Sequence, residues 1–124
     1  MAVSYIKKGF IKQHLVRYKG DTWPDSFKLW TDNTKQTPLN LTGATFMMTV
    51  DSLYAPQDSA TQAFTIAGAI DATSGDVEFT PTAANTTTDT GPGTFYYDVV
   101  MSQDSKVLTI AAGKYVVKED ISNS

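Results

Sequence analysis

The sequence predicts an all-β fold: a single antiparallel β-sandwich of about eight strands, with at most one short helix. Three observations carry this reading. Apolar residues recur at every second position in short runs, the mark of strands with one buried face. Gly, Asn, Asp, Ser and Pro punctuate the runs at turn spacing. Charged residues are only 19% of the chain, while Thr, Val, Phe and Tyr, which fit a pleated surface, are abundant. There is no βαβ rhythm and no internal repeat.

Taken in order, residues 1–13 place Tyr5, Ile6, Phe10 and Ile11 among Lys7, Lys8 and Lys12 without a clean period. They read as a partly extended arm whose apolar groups need a partner; the alternative is a first edge strand of the same domain. The sandwich then spans 14–121, with a short tail at 122–124. His14 to Lys19 alternates as a strand, and Gly20-Asp21 turns the chain. Pro24 holds Trp23 extended and removes a ladder donor. Ser26 to Thr31 follows, with Phe27 and Leu29 inward and Lys28 and Trp30 outward. Pro38 to Thr42 carries Leu39 and Leu41 at period two, and Ala44, Phe46, Met48 and Val50 face the core on a long strand.

A polar loop over 51–61 leads to Phe64 and Ile66. A turn over 71–76 leads to Val77 and Phe79, and Pro81 ends that strand. The Thr-rich segment 82–90 has room for one helical turn, though its β-branched residues oppose a long helix. The clearest pattern is Gly91 to Val117, which reads as three consecutive antiparallel strands. Phe95, Tyr97, Val99 and Met101 share one face of the first. Ser102 to Ser105 closes a four-residue hairpin loop, Leu108 and Ile110 lie on one face of the second, and Gly113 separates it from Tyr115 and Val117.

The chain has 124 residues and no cysteine, so it is one domain without disulfides or thiolate metal sites. No apolar run approaches the ~20 residues of a membrane-spanning helix, and the N-terminal stretch lacks the apolar core of a secretory signal. The expectation is a protein that stays where it is made, or leaves by assembly or lysis. Net charge is −3, unevenly laid out: residues 1–35 carry +4 and the remainder −7. Such asymmetry favours electrostatic complementarity between copies or with a partner.

Several punctuation points together carry a resemblance: Gly20-Asp21-Thr22; Pro38-Leu39-Asn40-Leu41-Thr42-Gly43-Ala44; Ser74-Gly75-Asp76-Val77; a Thr/Ala segment before Gly93-Thr94-Phe95-Tyr96-Tyr97-Asp98-Val99; and Gly113 before the final strand. In this order they resemble the N-terminal domain of phage baseplate upper proteins and similar Ig-like β-sandwich modules of phage virions, over about residues 14–121. The resemblance implies a compact sandwich that anchors a receptor-binding or fibre protein to the particle. The family domain is followed by a helical or fibre region, whereas this sequence ends at Ser124. The Trp23-Pro24-Asp25 step also departs from the plain strand the family pattern calls for.

No catalytic pattern stands out. His14 is the one histidine and has no Ser or carboxylate at a readable spacing. The Asp71-to-Asp76 segment offers oxygen ligands but not the spacing or closing Glu of a calcium loop, and a tight turn accounts for it. Phosphate-binding loops are absent, and a sequence pI near 4.9 argues against nucleic acid. The expectation is therefore no enzyme, no cofactor, no metal and no membrane partner. With the resemblance, the expectation is a virion structural module of tail or baseplate, assembled in the host cytoplasm, that binds other copies and neighbouring virion proteins. A head decoration or fibre-anchoring protein and a carbohydrate-binding sandwich are the alternatives. Tyr5, Ile6, Lys7, Lys8, Phe10, Ile11, Trp23 and Trp30 are the candidate interface residues, because aromatic side chains concentrate at interface centres.

Overall fold

Alternate side chains of the central strands meet in one apolar core, and the alternation itself divides the chain into two packed sheets. A computed structural model describes residues 3–6, 11–31, 34–52 and 62–119. Among them are ten strands: β1 (Val3–Ile6), β2 (Ile11–Lys12), β3 (Leu15–Tyr18), β4 (Asp25–Trp30), β5 (Thr45–Asp51), β6 (Gln62–Ala67), β7 (Ala69–Asp71), β8 (Asp76–Phe79), β9 (Gly93–Gln103) and β10 (Lys106–Lys118). Sheet A has the order β1-β4-β8-β7. Sheet B has the order β2-β10-β9-β5-β6, with β3 also paired to β10. The fold is the expected all-β sandwich.

The core holds Phe27 and Leu29 of β4, Phe46, Met48 and Val50 of β5, Val77 and Phe79 of β8, Tyr97 and Val99 of β9, and Ile110, Tyr115 and Val117 of β10. Phe27 and Phe79 meet edge to face at 5.7 Å, a geometry worth about 0.5–1.5 kcal/mol beyond the area buried. Phe95, expected in the core, is only half-buried at the start of β9.

The chain crosses between sheets at Gly68, where an added Cβ would lie 2.7 Å from Val77 and 2.9 Å from both Phe46 and Phe79. Gly75, in the β7–β8 turn, has φ +73° and brings its carbonyl to the Leu29 amide at 2.8 Å.

The structure corrects the sequence reading in four places. The last two expected strands are one 13-residue strand, β10. Its register against β9 shifts between Thr109 and Ala111, a β-bulge that leaves Ile110 and Ala111 both buried. The inward positions change there from even to odd, which mimics a break at Gly113. The hairpin loop is also shorter than four residues. Gln103 pairs with Lys106, and Asp104 and Ser105 make a two-residue turn with φ of 53° and 64°, the primed geometry that matches strand twist.

Residues 38–42 are not a strand. Pro38 makes a single bridge to Trp30, and Leu41 fills the core from a loop, its amide donating to Ala72. Finally, the pairing is not wholly antiparallel: β1 runs parallel to β4, and β2 and β3 run parallel to β10. The N-terminal segment thus changes sheets between β1 and β2, and neither helical nor strand periodicity can run through such a switch.

The Thr-rich segment forms a five-residue π-helical turn, Asn85–Asp89. Thr87 and Thr88 donate their hydroxyls to the carbonyls four residues back, at 2.9 and 3.1 Å. This local bonding is what makes threonine a poor helix interior residue. Thr86 is fully buried and accepts the Gly20 amide at 2.7 Å, pinning the turn after β3.

Candidate interface surfaces

The N-terminal edge of the molecule is built on an arginine that faces inward. Strand β3 alternates, so Leu15 and Arg17 point to the core while Val16 and Tyr18 point out, 52% and 44% exposed. Arg17 Nη1 lies 3.0 Å from Asp25 Oδ1, at the start of β4 in the other sheet, and Nη2 donates to the Trp23 carbonyl. Burial pushes the Asp25 carboxyl above the usual range, while the charge and hydrogen bond of Arg17 pull against it. Tyr97 and Tyr115 lie near this pair. Burial, reinforced by the Asp25 charge, raises both phenols well above their ordinary value.

This clasp fixes the loop that presents Trp23, which is 76% exposed. Trp30 differs. It is half-buried at the other end of β4, with Lys28 Nζ 5.2 Å from its ring centroid. The strand between them is six residues long, so at roughly 3.3 Å per residue the two tryptophans belong to separate surfaces. Tyr5 and Ile6 lie on β1 and Ile11 on β2, with their backbones paired within the chain. Lys7, Lys8 and Phe10 lie outside the described residues. Val16 and Tyr18 were legible as outward positions of an alternating strand but were not singled out.

His14 serves the scaffold, since its Nδ1 accepts the Lys114 amide at 3.0 Å. Beside it, the Tyr97 hydroxyl donates to the Gln13 carbonyl at 2.6 Å. A Cβ on Gly113 would stand 2.2 Å from that carbonyl oxygen, so only glycine lets the edge strand approach here. Asp71 Oδ1 accepts the Thr73 and Ser74 amides at 3.3 and 3.4 Å, the bonding of a tight turn. Among the described residues no group of three or more His, Cys, Asp or Glu could hold a metal ion.

A second exposed apolar region lies at the tip of the β9–β10 hairpin. Val107 is 71% and Leu108 45% exposed, and Met47 of β5 is 42% exposed. An open groove of about 660 Å³ is lined there by Met101, Gln103, Asp104, Lys106, Val107 and Leu108. Neither tryptophan lines it.

No family model matches the chain, and no curated protein matches it. Among solved structures it is similar to the N-terminal domain of phage TP901-1 ORF48, with a TM-score of 0.53 and 10% identity over 94% of this chain and 95% of that one. That likeness shows the fold. An uncharacterized protein from Bacillus anthracis str. Ames aligns at a TM-score of 0.43 and 14% identity, over 92% of this chain and 88% of that chain.

Proposed function

We propose that this chain is a structural protein of a bacteriophage virion, a small β-sandwich adaptor of the tail or baseplate that binds neighbouring virion proteins. The observation that carries the reading is the match of nearly the whole chain to the fold of a phage protein domain. Its surface supports the same reading. Trp23, Val16, Tyr18 and the hairpin tip expose apolar groups that an assembled particle would cover. Among the described residues strand β1 borders sheet A, so the backbone at Tyr5 and Ile6 lies on an edge that a neighbour can extend. On this reading the chain performs no catalysis, and Arg17, Asp25 and His14 serve the scaffold.

The test is to label purified phage particles with an antibody against the chain and image them by electron microscopy. Labels clustered at the tail end are expected. Labels over the head would replace the adaptor reading with a decoration protein, and absence of the chain from particles would overturn both.

A further inference from the structure

The strand register sorts exposed charge onto the outer faces of the two sheets. In sheet B, inward positions of β10 are Ala111, Tyr115 and Val117, so Lys114 and Lys118 point outward. Lys12 pairs with Ala112, Val16 with Val116 and Tyr18 with Lys118, which places Lys12, Val16 and Tyr18 on the same outer face. The face is thus basic around an apolar strip. Its nearest acid on the neighbouring strand is Asp98, half-buried opposite Ala112.

In sheet A, Asp71 pairs with Asp76 and Ala69 with Glu78 while Val77 and Phe79 point inward. Asp71, Asp76 and Glu78 therefore share the outer face of β7 and β8. Lys28 offsets part of this charge through an ion pair with Asp76 at 3.4 Å. The Ser74 amide, with the Thr73 hydroxyl and amide, holds Asp71 below the usual carboxylate range, so it stays ionised.

We propose that copies of this chain associate head to tail, the basic outer face of β2, β3 and β10 in one copy meeting the acidic outer face of β7 and β8 in the next. The two faces belong to opposite sheets of the sandwich and point apart. A two-fold pair cannot engage both at once, so the contact is heterologous and builds a ring or a stack. Val16 and Tyr18 supply apolar area at the centre of the basic face, and the charges set orientation. The inference deepens the virion reading only in naming one partner, a second copy, and it holds or fails in vitro without the particle.

The experiment is sedimentation velocity of the purified chain at low and high salt. Self-association is expected at low salt and should weaken as salt shortens the screening length from ~30 Å at 0.01 M to ~3 Å at 1 M. Lys114→Glu/Lys118→Glu should weaken it by about tenfold or more, as should Ala69→Lys/Glu78→Lys. Both variants spare the hydrogen-bonded acids Asp71 and Asp76, and circular dichroism checks that each is folded. Mixing the two folded variants should restore association, because one then presents acidic faces and the other basic ones. A chain that stays monomeric at low salt would overturn the proposal, as would folded variants that fail to associate on mixing. Binding of DNA through the lysines without self-association would assign the basic face to a polyanion and also overturn it.

Discussion

At the residue scale, buried polar groups are the most exposed to test. Tyr115 is fully buried, edge to face with Phe64 at 5.7 Å and Tyr97 at 6.4 Å, and its hydroxyl has no hydrogen-bond partner among the described residues. Burial, then the Asp25 charge, raises Tyr97 and Tyr115 above the ordinary phenol value of 10.0. A raised native pKa means the folded state holds the proton more tightly than the unfolded state. The associated stability is therefore complete below about pH 10 and is lost as pH rises above it, at ~1.4 kcal/mol per pH unit for each tyrosine. Urea titrations across this range should show the loss, and Tyr115→Phe should remove about half of the slope. An unchanged slope in that variant would show that the Tyr115 hydroxyl ionises in the folded protein as freely as in water.

At the scale of elements, the β9–β10 hairpin carries the clearest prediction. Asp104 and Ser105 both adopt positive φ, which Asn and Gly accept more readily. Asp104→Asn/Ser105→Gly should stabilise the protein by about 0.4–1 kcal/mol, read as a higher urea midpoint at unchanged slope. A lower midpoint would mean that the turn depends on its side chains and not on its backbone geometry. The same hairpin shows what a sequence reading misses. Four polar residues in a row give a turn its location but not its length. Turn length follows from cross-strand register, which β5 helps set by pairing Thr45 with Ser102 and Phe46 with Met101.

For the whole molecule, the Arg17–Asp25 pair ties β3 of sheet B to the start of β4 in sheet A. Arg17→Met alone leaves a buried carboxylate unpaired and should cost ~3–5 kcal/mol. Arg17→Met/Asp25→Leu should recover most of that loss, since an apolar pair of similar volume needs no desolvation of charge. Denaturant unfolding of the two singles and the double gives the coupling. Additive effects would show that the two side chains are not energetically coupled across the sheets. The salt-dependent association of copies belongs to this scale as well, because it depends on which sheet each charge faces.

The sequence by itself determined the strands whose alternation is uninterrupted. Phe27 and Leu29, then Phe46, Met48 and Val50, and Tyr97 and Val99 are buried as their period of two requires, because one face of each strand must leave water. It also located a short helical turn in the Thr-rich segment, kept to Asn85–Asp89 by threonines that bond to nearby backbone carbonyls. Tertiary structure decided the rest. The bulge at Ile110, the loop placement of Leu41 and the sheet switch of the N-terminal segment all depend on pairings between residues far apart in the chain. Arg17 looked like an ordinary member of an alternating strand, and only the approach of Asp25 from the other sheet makes its inward position stable. The charge asymmetry was visible as a count along the chain. Its division into a basic and an acidic face was not, because a side chain's face follows from register, and register is set by partners that local sequence does not name.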